Sequence, residues 1–133
     1  MYSAARLVFS LSRYGSVSPL LRQLHWLRAP GRIQYKLAVL TFRCLYGTAP
    51  PHLADEFLLS SDFEARGRLR SASSSSLIVR RARLSTFCDR AFPVAAARVW
   101  YDLARHVASA PSLRVFCSRL KTQLFSRSFP DFL

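Results

Sequence analysis

The chain has 133 residues, the size of one domain, and its 50% hydrophobic share with 13% aromatics excludes generic disorder by supplying enough apolar material for a core. Twenty basic residues against seven acids leave a formal charge of +13, a strong field for so small a body. That balance implies a polyanionic partner; nucleic acid is the usual one, and an anionic membrane surface or ribosomal RNA meets the same arithmetic.

Taken in chain order, Ser3 to Tyr14 reads as a short helix with Ala4, Val8 and Leu11 on one side and Arg6 and Arg13 on another, stopped by Gly15. Pro19 begins a second, with Ser18 as N-cap, carrying Leu20, Leu21 and Leu24 toward His25 and Trp26. Gly31 to Tyr46 carries the clearest helical periodicity. Ile33, Leu37, Leu40 and Cys44 line one face; Tyr35, Val39, Phe42 and Tyr46 line nearly the opposite one, leaving Arg32, Lys36 and Arg43 on a strip between. A helix apolar on two sides predicts a sandwiched position inside a larger body, or an exposed apolar face that seeks a protein partner. Gly47 stops it, and Ala49-Pro50-Pro51 turns into a short helix through Leu53, Phe57 and Leu58.

Residues 60–76 have the composition of a flexible Arg/Ser loop. After it, Leu77-Ile78-Val79 and Leu84 to Phe87 predict a small hairpin over 77–87. Two helices over 91–126 follow. Phe92, Ala96, Val99, Trp100 and Leu103 share a face of the first; Leu113, Phe116, Cys117, Leu120 and Leu124 share a face of the second, with Ser112 as N-cap. The expected architecture is therefore a mainly α single module over 1–133 with a small β-hairpin (α+β), its short helices packed around a central helix near 31–46.

No residue pattern points to chemistry. Phosphate-cradling loops, nucleophile elbows and zinc-protease helices are missing from a chain with four glycines. The acids Asp55, Glu56, Asp62, Glu64, Asp89, Asp102 and Asp131 are scattered, whereas a polymerase needs carboxylates that converge on two metal ions. His25, His52 and His106 have no triad or ligand spacing and read as packing or surface residues. Cys44, Cys88 and Cys117 are odd in number and widely spaced, which encodes neither a disulfide framework nor a zinc site and fits a reducing intracellular compartment. No catalytic residue, metal or cofactor is assigned. No apolar run approaches the ~20 residues that cross a bilayer. Met1 to Ala54 holds no acid, so a mitochondrial presequence is the alternative reading of the N-terminus.

What remains is the arginine signal. Only Lys36 and Lys121 are lysines; the other basic residues are Arg, whose planar fork suits bidentate phosphate contacts, although a coding bias gives the same ratio. Arg66, Arg68, Arg70, Arg80, Arg81 and Arg83 stand in an acid-free stretch from Ala65 to Cys88, with serine hydroxyls between them. These six are candidate contacts to an RNA or DNA backbone, non-specific in sequence, with Lys36 and Arg43 as a second strip. The bland alternative is a solvated, solubilising loop.

The blocks Leu24-His-Trp-Leu27, Arg32-Ile-Gln-Tyr-Lys36 and Leu45-Tyr-Gly-Thr-Ala-Pro50 with His52-Leu53 resemble the region after the polymerase domain in LINE-type (non-LTR) retrotransposon reverse transcriptases of the jockey and chicken-repeat kind. Further blocks follow in the same order: Leu69-Arg-Ser71, Leu77-Ile-Val79, Asp89-Arg-Ala-Phe92, Trp100, Ser109-Ala-Pro-Ser-Leu113 and Arg119-Leu-Lys-Thr122. The resemblance implies a detached tail of an RNA-directed DNA polymerase, without the palm that carries the metal-binding aspartates and without catalytic residues of its own. Such a tail is expected to help hold RNA template and target DNA. Departures, such as Arg28 and Ala104 where the family has proline and Cys88 where it has glycine, resemble the drift of a decayed copy.

Overall fold

The computed structural model describes residues 2–55, 58–59, 77–78 and 91–130, which form a mainly helical body. In chain order the elements are α1 (Tyr2–Val8), α2 (Ser18–Gln23), α3 (Ala29–Leu45), α4 (Pro51–Ala54), β1 (Leu58–Leu59), β2 (Leu77–Ile78), α5 (Phe92–Tyr101), α6 (Arg105–Ala108) and α7 (Leu113–Ser128).

Local chemistry sets the helix boundaries. Prolines occupy the first turns of α2, α3, α4 and α5, where a missing N–H costs nothing and a fixed φ favours entry. The Ser112 hydroxyl accepts from the Val115 N–H at 3.4 Å and caps α7 as the sequence predicts. Ser18 does not cap α2: it is the first helical residue, and Val17 sits at the cap position with no side-chain bond.

Three helices end in the same way. At α3, Gly47 adopts φ +67°, its N–H reaches the Cys44 carbonyl, and the Thr48 N–H returns to the Arg43 carbonyl at 2.8 Å. This is the Schellman pattern, in which a left-handed residue satisfies two orphan carbonyls. The same pair of bonds closes α1 around Ser10 (φ 50°), with Ser10 N–H on Leu7 and Leu11 N–H on Arg6. It closes α2 around His25 (φ 52°), with His25 N–H on Arg22 and Trp26 N–H on Leu21. The predicted helix from Ser3 to Tyr14 is therefore cut at Val8 by Ser10, not at Gly15, and Val8 and Leu11 face solvent instead of a core.

The main core joins the two ends of the sequence. Leu27, Ala38 and Phe42 from the first part pack with Val107, Ala110, Phe116, Leu120 and Leu124 from the last, and Trp100, Val99 and Leu103 close its edge. Phe42, Phe116 and Trp100 form a row of stacked rings, with centroids 4.5 Å and 5.9 Å apart. A smaller cluster of Ala5, Leu20, Leu21 and Phe129 holds α1 and α2 against the end of α7, with Trp26 and Phe125 packed on it. Asp102, capping α5, is bound by the Arg127 guanidinium through both its carboxylate and its main-chain carbonyl.

Of the buried residues of the central helix, Gly31, Ala38, Thr41 and Phe42, only Phe42 belongs to either apolar face expected from the sequence; the helix is covered by this chain itself, with α3 packed on α5 and on α7. Ala38, Thr41 and Phe42 are buried between them, with the Thr41 hydroxyl donating to the Leu37 carbonyl at 2.8 Å. Ile33 and Tyr46, expected on apolar faces, remain 62% and 57% exposed.

The hairpin expected over 77–87 is not seen. Its second strand, Leu84 to Phe87, lies outside the described residues, and Leu77–Ile78 pairs antiparallel with Leu58–Leu59 instead. Leu58 thus belongs to an extended pair and not to the helix expected after Pro51, which ends at Ala54. The Tyr101 hydroxyl donates to the Leu77 carbonyl at 2.8 Å and ties β2 to α5. The loop expected over 60–76 lies outside the described residues. The short α6, which periodicity did not reveal, contributes the fully buried Val107, and its His106 carbonyl accepts from Arg119 at 2.6 Å.

Candidate nucleic-acid interface

The helical body carries most of the charge. Its cations are Arg6, Arg13, Arg22, Arg28, Arg32, Lys36 and Arg43 from the first part of the chain and Arg98, Arg105, Arg114, Arg119, Lys121 and Arg127 from the last; the acids among the described residues are Asp55 and Asp102. The six arginines singled out by sequence, Arg66, Arg68, Arg70, Arg80, Arg81 and Arg83, lie outside the described residues. Lys36 and Arg43 are exposed on α3.

Arg32, Lys36 and Arg43 follow one another at i, i+4 and i+11, which puts them on one stripe spanning roughly 16 Å of helix at 1.5 Å per residue. Each end of the stripe opens on a cleft. At the Arg43 end, Phe42, Arg43, Tyr46, Thr48, Pro111, Ser112 and Leu113 line a depression of about 390 Å³.

At the Arg32 end, the turn that closes α2 faces α7 across a groove with two contiguous parts. One, of about 260 Å³, is lined by His25, Trp26, Leu27, Arg32, Tyr35 and Lys121; the other, of about 380 Å³, by His25, Lys121, Thr122, Phe125 and Ser126. His25 and Lys121 line both parts, and among the described residues no carboxylate lines either. The left-handed conformation at His25 turns its ring onto Phe125, stacked with centroids 5.4 Å apart and planes within 10°. The His25 Nδ1 lies 3.3 Å from the Gln23 carbonyl. Phe125 is backed by Phe129 at 4.9 Å, and the Arg28 guanidinium lies over the Phe129 ring at 4.9 Å. Lys121 and Phe125, like Thr122 and Ser126, are one helical turn apart, so cation, ring and hydroxyls share one side of α7.

Burial raises the Tyr35 hydroxyl to about 12, helped by its hydrogen bond to Cys117 and the thiol's charge, so this wall of the groove stays neutral. Burial also pushes the Cys44 thiol up. Cys44 and Cys117 are free thiols, and among the described residues no three His, Cys, Asp or Glu side chains cluster to hold a metal ion. No helix among them is long and apolar enough to cross a membrane.

The groove was not legible as a site in the sequence, where His25 reads as a packing or surface residue and Lys121 has no role beyond being one of two lysines. Its two walls are almost a hundred residues apart in the chain. The available signal was the acid-free run of His25, Trp26, Arg28 and Arg32 together with the Lys121–Phe125 spacing. No family model, curated protein or solved structure matches the chain.

Proposed function

We propose that this chain is a non-catalytic remnant of a LINE-type retrotransposon reverse transcriptase tail, retaining non-sequence-specific binding to RNA or DNA. The observation that carries the binding is electrostatic: the described body sets cations on every helix longer than four residues against two acids, one of them already engaged by Arg127. A surface of that sign gains free energy by displacing the counterions condensed on a phosphate backbone, and needs no catalytic group to do so. The origin is supported by the ordered blocks of resemblance. Their first two, around His25–Trp26 and Arg32–Tyr35, supply one wall of the groove.

The test is affinity for labelled single-stranded RNA as a function of salt. Binding is expected to weaken steeply from low to moderate salt. Affinity unchanged across that range rejects the reading.

A second reading, a module that presents an apolar surface to a protein partner, is favoured by the N-terminal segment. Tyr2, Leu7, Val8, Leu11 and Tyr14 are all exposed there. Size-exclusion chromatography separates the two, because a clean monomer across a wide concentration range speaks against a self-associating apolar surface.

A further inference from the structure

We propose that the groove between the α2–α3 turn and α7 is a stacking site for an unpaired nucleobase, with Arg32 and Lys121 holding the flanking phosphates. The inference rests on the nucleic-acid reading above and gives it a place and a strand preference. Four observations support it. The exposed His25 ring lies parallel on Phe125, which is backed in turn by the tilted Phe129 ring, so a planar base on the outer face of His25 can extend a stack that the protein has already begun. Trp26, half-buried and anchored by the small core cluster, supplies a second fixed apolar wall. Among the described residues the groove is lined by cations and hydroxyls beside its aromatic rings and by no carboxylate, which matches a phosphodiester and opposes an acidic peptide. The larger of its two parts, about 380 Å³, lies within the size range of small-ligand sites, ~300–1,000 Å³, and the smaller, about 260 Å³, just below it.

The occupant is single-stranded because a base inside a duplex has both faces covered by its neighbours. Only a loop, bulge or free end can offer a face to His25. The basic stripe through Lys36 toward Arg43 then gives the adjoining backbone a track leading away from the groove. RNA and DNA share this chemistry. Stacking is tolerant of base identity, so the groove adds a preference for unpaired strands without adding a sequence code.

The His25 conformation supplies a clean variant. Glycine is the residue favoured at a left-handed helix stop, so His25→Gly removes the ring while suiting the backbone. Binding of the full chain is measured by anisotropy against labelled oligothymidylate, an abasic strand of equal length and charge, and a duplex. The wild type is expected to bind oligothymidylate about ten-fold more tightly than the abasic strand, within the range of one base–aromatic stack. His25→Gly is expected to erase that difference while leaving abasic-strand binding unchanged, and Lys121→Gln to weaken both strands alike. Equal affinity of the wild type for all three ligands overturns the stacking site but leaves the electrostatic reading standing. Binding to none of them, with binding to phosphatidylserine vesicles instead, overturns both.

Discussion

Phe42 on α3 and Phe116 on α7 stack with centroids 4.5 Å apart, and through this contact the first third of the chain is fastened to the last. Phe116 is fully buried and Phe42 nearly so, in one cluster with Ala38 and Leu120, and Phe116 also stacks with the Trp100 ring. Truncating Phe116 to alanine leaves a cavity in a packed seam, at a cost of about 3–5 kcal/mol. Urea unfolding of Phe116→Ala is expected to show that loss. A change below about 1 kcal/mol would mean that the seam does not hold the body together.

Ser10 and His25 occupy a backbone region that costs a residue with a Cβ roughly 1 kcal/mol or more relative to glycine. Ser10→Gly is expected to stabilise the protein by up to about 1 kcal/mol, since the Schellman bonds at Leu7 and Arg6 are kept. Thermal melting provides the measurement. A lowered midpoint would show that the Ser10 side chain contributes something the bonds to the main chain do not reveal.

The two sets of candidate phosphate contacts can be ranked by salt dependence. For a single strand, each lost phosphate contact flattens the slope of log affinity against log salt by about 0.7. Replacing Lys36 and Arg43 with alanine is expected to flatten it by about 1, and replacing the six arginines from Arg66 to Arg83 by about 4. An unchanged slope in the second variant would make that arginine-rich stretch a solubilising segment and leave the helical body as the binding surface.

Alkaline pH probes the wall of the groove. Tyr35 ionises near 10 in an unfolded chain and near 12 in the folded one, because burial penalises the phenolate and the bond to Cys117 favours the neutral form. Between these values the unfolded state binds fewer protons than the native state, so this contribution is fully present below pH 10 and is lost as pH rises toward 12. Stability followed by circular dichroism is expected to fall over that interval, and Tyr35→Phe to flatten the fall. Equal slopes in both proteins would assign the alkaline loss to other groups.

Much of the fold was legible because its signals are local. The periodicities that bury Phe42, Ala96, Phe116, Leu120 and Leu124, the Ser112 cap and the Gly47 stop all act within a few residues. What failed to show were choices made by distant or atypical partners. Ser10 and His25 end helices without being glycine, so no composition cue marks them. Leu77–Ile78 pairs with Leu58–Leu59 across a long interval, where a nearer segment offered an equally plausible register. The two apolar stripes of α3 pointed to partners, but the residues it buries, Ala38 and Thr41 above all, fall between those stripes, and amphipathicity cannot say whether the partners come from the same chain. The groove was hidden for the same reason: its chemistry arises only when the turn after α2 meets the middle of α7.

The seam between Phe42 and Phe116 has one more consequence. Its side chains among the described residues come from 2–55 and 91–130, so severing the backbone within 60–76 takes none of these away. A nicked molecule would then be a heterodimer whose cohesion depends on dilution, since the tether that kept its halves at high local concentration is gone.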